Sequence, residues 1–434
     1  MNERKPKIAI LAFWYPPLQA PGSLRARAFA EDAAANGIEA LVITVEPGTR
    51  TTPDGVGSHV PPPGVRVERI PGFELGTWLQ KSRQRPTPSP QASPQAPRPT
   101  PRWKIALHHL AYWGYRNLAC IPDPHLFWYW QARQPLLELL ERERPDILLV
   151  TAHPVTGFLL ARFAQKRLPW LRWSADYRDL WSGHPWYKRP WPLSSLERWL
   201  ERRTVGTASQ IITTTQEFRD SLETLFPGRV VEVVYNGYSE KDGPRAEPVA
   251  IAKFTVCHAG LLYAQRRPDL LFQALRNLVA KGDIDPRRIA VDFYGKVPPE
   301  FPGWVNEHGL DTMVKAGGTL PRPDILEKQR RSNLLLLIQT GDGALPSKLF
   351  EYMGTGIPIL ALVDARREAA GILQRTGAGT VCTTVAETET ALLQAYRHWL
   401  ATGLNQVLPA NAETAIFNRQ EQSRRLYEIL KLKV

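Results

Sequence analysis

The chain is predicted to be an α/β protein of two Rossmann-like domains, each a doubly wound sheet covered by helices on both faces. Three observations carry that expectation. Its 434 residues exceed the ~250–300 at which a single core stops growing. Short apolar runs of strand length alternate with helical stretches along most of the chain. After Ser239 the polar segment EKDGPRAEPVA interrupts the alternation and reads as an interdomain linker.

The elements follow in order. KIAILAF (7–13) is apolar beyond Lys7, as a strand buried on both faces of a parallel sheet must be. A Pro/Gly loop leads to a helix from Leu24 to Asn36, stopped by Gly37, and EALVITV (39–45) completes a βαβ unit. Residues 82–101 hold seven prolines in twenty and cannot pack; they are expected to be a disordered, partly polyproline insertion. An aromatic and basic block (102–130) precedes a helix of the type ARQPLLELLERERP. Strand DILLVTA (146–152), helix 155–168, strand WLRWSAD (170–176), strand QIITTT (210–215), helix 216–225 and strand 230–237 close the first domain. The second runs through strand FTVCHAG (254–260), helix 268–280, strand 288–295, strand 314–320, helix 322–331, strand NLLLLIQ (333–339), helix 347–355 and strand 358–363. One last helix near 411–431, apolar at Ile416, Leu426, Ile429, Leu430 and Leu432, could pack back across either domain. The domains are thus 1–240 and 250–408, with 411–434 as the returning helix.

Composition narrows the partners. The formal charge is +13, and residues 51–200 carry 20 Lys+Arg against 11 Asp+Glu, a net +9. A nucleic acid, an anionic membrane surface or a phosphorylated substrate would suit that charge. The three cysteines are scattered without metal-type spacing, as expected of a reducing cytoplasm. No signal peptide or transmembrane run is read, so a cytoplasmic protein is expected, with peripheral contact to the inner face of the membrane left open. Aromatics among cations (Trp103, Trp113, Arg116; Trp186, Lys188, Arg189, Trp191) would seat at a headgroup boundary, or simply pack under a basic face. No nucleic-acid-binding signature accompanies them.

Several motifs are missing. There is no G-x-G-x-x-G after the first strand and no P-loop, which removes the main support for nicotinamide cofactors and P-loop phosphoryl transfer. Asp283-Ile-Asp285 falls in a turn between a glycine and a proline, and reads as surface, not metal site. His108-His109 and Cys257-His258 are adjacent pairs whose side chains diverge.

The richest stretch is 333–363. An apolar strand feeds glycines at 341 and 343, then Pro346-Ser347-Lys348 opens a helix that ends at Gly354 and Gly356. A helix N-terminus after a parallel strand offers N–H groups and a positive dipole end to an anion, and Lys348 adds a cation. Glu351, three residues on, shares that face; it either accepts from a ribose or pairs with Lys348.

This stretch resembles the nucleotide-binding segment of retaining GT-B glycosyltransferases of family 4, in the polysaccharide-assembling branch with P-S-K-x-x-E-Y-M/L-x-x-G-x-P. Pro346, Ser347, Lys348, Glu351, Tyr352, Gly356 and Pro358 match. Glu351 corresponds to the second acid of the family's E-x7-E pair, and the first falls on Gly343. Phe13-Trp14-Tyr15-Pro16-Pro17 with Gly22 and Arg25 resembles the family's first strand and glycine loop. Ile121-Pro122-Asp123-Pro124 and Trp128 resemble its acceptor-side segment. Asp176-Tyr177-Arg178-Asp179-Leu180-Trp181 matches D-x-R-D-x-W, Asn236-Gly237 the turn before the linker, and His258-Ala259-Gly260 with Gln265 and Arg266 the loop opening the donor domain.

The resemblance implies two facing GT-B domains with the last helix crossing back onto the first, and a sugar moved from a nucleotide donor to a lipid-linked or glycan acceptor, with retention and without a metal or other cofactor. Gly22, Gly260, Arg266, Ser347, Lys348 and Glu351 would bind the donor. Arg266 and Lys348 would meet the leaving diphosphate, and Asp176, Arg178 and Asp179 would lie on the acceptor side, or Arg178 would simply pair with an Asp. The alternatives are a UDP-sugar epimerase of the same fold and a scaffold that binds a nucleotide sugar without turnover, which the missing acid at 343 would suit.

Overall fold

The computed structural model describes residues 4–18, 22–46, 60–72, 121–183, 189–240, 243–263, 266–339 and 345–432. The proline-rich residues 82–101, the aromatic residues 102–118, Trp186 to Lys188, Gln265 and the loop containing Gly341 and Gly343 lie outside them. The chain divides into two compact units, Met1–Val234 with Ser423–Val434, and Tyr235–Gln422.

The first unit is built on β1 (Lys7–Ala12), β2 (Glu39–Val45), β3 (Val65–Ile70), β4 (Ile147–Ala152), β5 (Trp173–Tyr177), β6 (Gln210–Thr213) and β7 (Val231–Val233). They form one parallel sheet in the order β3-β2-β1-β4-β5-β6-β7. Every residue of β4 and β5 is buried, so their sequences contain no exposed alternation. The order reverses between β1 and β4, and a crevice for ligands is expected beyond the carboxyl ends of those strands.

The second unit repeats the plan with β8 (Phe254–Ala259), β9 (Ile289–Tyr294), β10 (Val314–Gly318), β11 (Leu334–Ile338), β12 (Ile359–Leu362) and β13 (Gly379–Cys382). Their parallel order is β10-β9-β8-β11-β12-β13, with the reversal between β8 and β11. Helices Asp269–Ala280 and Val385–Thr402 drive Leu271, Phe272, Leu275, Leu392, Tyr396 and Trp399 into the core of this sheet.

Several elements differ from the sequence reading. The strand β3 and the run of helix Glu368–Thr376, β13 and helix Val385–Thr402 were not foreseen. The helix before β4 starts at Leu126, so it takes in Phe127 to Trp130 as well as Pro135. The single helix expected near 411–431 is two, Ala412–Ala415 and Arg419–Leu430. Between them the backbone turns to pair with Tyr238: its N–H donates to the Phe417 carbonyl, and the Arg419 N–H donates to its carbonyl. Ile416, at the break, is 43% exposed, whereas Leu426, Tyr427 and Leu430 join the core of the first unit. Ser423 Oγ donates to Asp32 at 2.8 Å and Tyr427 Oη to the Phe29 carbonyl at 2.7 Å, so the chain does end on its first domain.

Candidate functional site

In the second unit the site forms where β8 and β11 part. Their pairing runs through Leu334↔Val256 and Leu335↔Cys257. Beyond that point the ring of His258 takes over, its Nδ1 donating to the Leu336 carbonyl at 2.9 Å. Gly260 follows on β8, and helix Ser347–Thr355 follows β11. No side chain caps that helix, whose N-cap position is Pro346. A Cβ added to Gly260 would lie 3.8 Å from Lys348 Cε and 3.9 Å from His258 Nε2, so these three residues line one spot.

Lys348 Nζ pairs with Glu351 Oε1 at 2.9 Å, which is the i,i+3 ion pair the spacing allowed. The same oxygen accepts from Gln329 Nε2 at 2.7 Å, and Oε2 accepts from Arg322 at 3.2 Å. Burial would raise the Glu351 pKa, but the cations Lys348 and Arg322 and the Gln329 bond outweigh it and hold it low. The carboxylate is therefore fixed as an anion with three donors. Ser347 opens the helix, and Arg266 lies close enough to help depress His258, its guanidinium 5.3 Å from the Tyr263 ring centroid.

Tyr352 of the motif has a separate task. Its hydroxyl accepts from the Ala259 N–H at 2.9 Å and pins the end of β8 next to Gly260. Gly356 ends the helix at φ +77°, the left-handed geometry that glycine adopts without penalty.

In the first unit the D-x-R-D-x-W residues gather at the end of β5. Asp176 is fully buried and accepts from Arg25 Nη2 at 2.7 Å and Nε at 2.9 Å. Arg25 thus pairs with Asp176 within its own unit. Arg178 Nε donates to Asp179 at 3.3 Å, a pairing with an Asp that the sequence allows. The Arg178 guanidinium also lies against Gly22, where an added Cβ would overlap Nη1. Gly22, Arg25, Asp176, Arg178 and Asp179 are therefore one cluster beyond β1 and β5.

Asp123 turns out to be an organiser of this region. Its carboxylate accepts from the N–H and hydroxyl of Thr156, at 2.8 Å each, and from the His125 N–H. Burial would raise its pKa, but the bonds to His125 and Thr156 lower it. It seats the N-terminus of helix Thr156–Arg167, where a negative charge is favourable. Asp283 and Asp285 stay apart from both clusters; Asp285 accepts from the Arg287 N–H and starts a short 3-10 turn.

The pattern described as Glycosyltransferase Family 4 matches residues 92–241. Among solved structures, the chain is similar to sucrose-phosphate synthase from Thermosynechococcus elongatus, at 15% identity and TM-score 0.60 over 98% of each chain. It is similar to Anabaena HepE in complex with UDP and glucose, at 16% identity and TM-score 0.59, over 98% of this chain and 99% of that one. The fold is GT-B. A glycosyltransferase from Rickettsia africae gives 13% identity and TM-score 0.60 over 98% of each chain. No curated protein matches the chain.

Two residues of this site have partners that the sequence does not reveal. The sequence marks His258 as part of the segment that resembles the loop opening the donor domain and as half of a poor ligand pair, but not its ring bond to the Leu336 carbonyl. Gln329 gave no signal, because its reach to Glu351 spans 22 residues and depends on how helix Arg322–Arg330 packs.

Proposed function

We propose that the chain is a glycosyltransferase that moves a sugar from a nucleotide donor to a lipid-linked or glycan acceptor, with retention of anomeric configuration. The observation that carries this reading is the Lys348–Glu351 cluster at the β8/β11 reversal, on a chain whose residues 92–241 match Glycosyltransferase Family 4. Lys348, Arg266 and the open N-terminus of helix Ser347–Thr355 meet the leaving diphosphate in place of a metal ion or other cofactor. Gly260 gives the donor room to approach the backbone. Glu351 holds Lys348 in position. Attack comes on the same face as the departing phosphate, which assists it. Arg178 and Asp179 orient the acceptor, and Asp176 fixes the segment that carries them.

HepE, whose structure is described with UDP and glucose, supports a UDP-linked donor here. Exposed aromatics on the first unit support work at an anionic inner-membrane surface from the cytoplasm: Trp130, Trp191 and Trp199 are 58%, 81% and 55% exposed. Among the described residues no helix is long and apolar enough to cross a membrane.

The test is incubation with UDP- and GDP-sugars, with and without a lipid-linked acceptor, while nucleoside diphosphate release is followed. Acceptor-dependent release is expected. Isomerised donor without acceptor would point to an epimerase, and binding without release under any condition to a scaffold.

A further inference from the structure

The acceptors in the β8/β11 crevice divide sharply. Glu351 already takes bonds from Lys348, Gln329 and Arg322. His258 is 8% exposed, and its Nε2 has no hydrogen-bond partner. Its Nδ1 faces the Leu336 carbonyl, an acceptor, so Nδ1 must carry the proton. Lys348 and Arg266 stand nearby and burial acts in the same direction, so the imidazole stays neutral. Nε2 is then a bare lone pair directed at the spot that Gly260 and Lys348 line. Leaving a buried acceptor unmatched is costly, and the free energy is recovered when a bound partner supplies the donor. Phosphate oxygens in the site are themselves acceptors; a hydroxyl group fits.

We propose that His258 is a hydroxyl-recognising residue of this pocket, its Nε2 accepting a hydrogen bond from an O–H of the nucleotide sugar whose diphosphate Lys348 holds. This rests on the nucleotide-sugar reading of the same site. The hydroxyl belongs either to the ribose or to the transferred sugar, and the two are separable. The role is positioning and selection, since a site built around a hydroxyl discriminates against ligands that lack it.

His258→Asn is the informative variant. Its short amide can still donate to the Leu336 carbonyl but places no acceptor where Nε2 was. UDP and UDP-glucose, or GDP and GDP-mannose where only guanine nucleotides bind, are titrated calorimetrically into wild type and variant. Affinity should fall about five- to tenfold, as for one lost hydrogen bond. A fall for both ligands assigns the ribose hydroxyl, and a fall for the nucleotide sugar alone assigns the sugar. Deoxy ligands lacking the assigned hydroxyl should bind both proteins equally, closing a double-mutant cycle. Should the variant fail to fold, the wild type answers through the 15N resonance of Nε2, which should move upfield with the hydroxylated ligand and stay put with its deoxy analogue. Unchanged affinity in a folded variant, or an unmoved Nε2 resonance in a liganded wild type, overturns this proposal alone. A wild type that binds no nucleoside diphosphate or nucleotide sugar overturns it together with the proposed function.

Discussion

Arg25 holds Asp176 in a two-pronged ion pair at 2.7 and 2.9 Å, with 4% and 0% of the two side chains exposed. The pair ties the first helix of the chain to the end of β5, where Arg178 and Asp179 emerge. Removing one partner strands a buried charge, which costs about 3–5 kcal/mol, whereas replacing both with apolar residues is far milder. Asp176→Ala should therefore lower the urea midpoint sharply, and Arg25→Met with Asp176→Leu should recover much of it. An Asp176→Ala protein as stable as wild type would show that the pair does not bear on the fold.

Gly22 and Arg178 allow a different separation, of activity from stability. A Cβ at Gly22 would collide with the tip of the Arg178 side chain, a flexible group that can swing aside. Gly22 has a right-handed helical backbone (φ −73°), so alanine is tolerated there without strain. Gly22→Ala should leave stability within about 0.5 kcal/mol of wild type. On the proposed function, sugar transfer should nevertheless drop, as it should for Arg178→Ala. Full transfer by Gly22→Ala would remove Arg178 from the acceptor machinery.

These clusters also show what could be read from the sequence. The apolar runs of β1, β4, β8 and β11 announced themselves because both faces of each are buried, and the helix that P-S-K-x-x-E-Y opens was legible from its place after an apolar strand. Strand β3 was not, because VRVERI lies at the sheet edge and keeps only Ile70 fully buried. Helix Val385–Thr402 carries a readable start, the capping box of Thr384 and Glu387. The break in the last helix was hidden, since its cause is Tyr238, nearly two hundred residues upstream. Side-chain partners such as Arg25 for Asp176 depend on which strands lie side by side, and spacing along the chain does not encode that.

Tyr352 ties the motif to the strand it serves. Its buried hydroxyl accepts from the Ala259 N–H at 2.9 Å, one residue before Gly260. Tyr352→Phe leaves that N–H unmatched in a dry site, at a cost of about 1–3 kcal/mol. The expected result is a lowered melting temperature together with weaker nucleotide binding, because the Gly260 loop loses its tether. A melting temperature equal to that of wild type would mean that Ala259 finds another acceptor.

Two buried groups should shape stability against pH in opposite directions. Burial, with Glu197 nearby, pushes Glu201 from 4.5 up to about 7, against the opposing bonds from Ser182 and Tyr177. Between those values the folded protein retains a proton that the unfolded chain has released, so this group's contribution is complete below pH 4.5 and is lost as pH rises through 7. Burial pushes His258 from 6.5 down to about 4, with Lys348 and Arg266 acting alike and the Leu336 bond opposing. Here the unfolded chain holds the extra proton, so stability is complete above pH 6.5 and declines as pH falls toward 4. The windows overlap and partly cancel in the wild type, which is why difference curves are needed. Subtracting the Glu201→Gln unfolding free energy from that of wild type should leave a curve that falls with pH between 4.5 and 7. Subtracting that of His258→Asn should leave one that rises between 4 and 6.5. Flat differences in urea titrations across these ranges would show that neither group is held away from its ordinary ionisation.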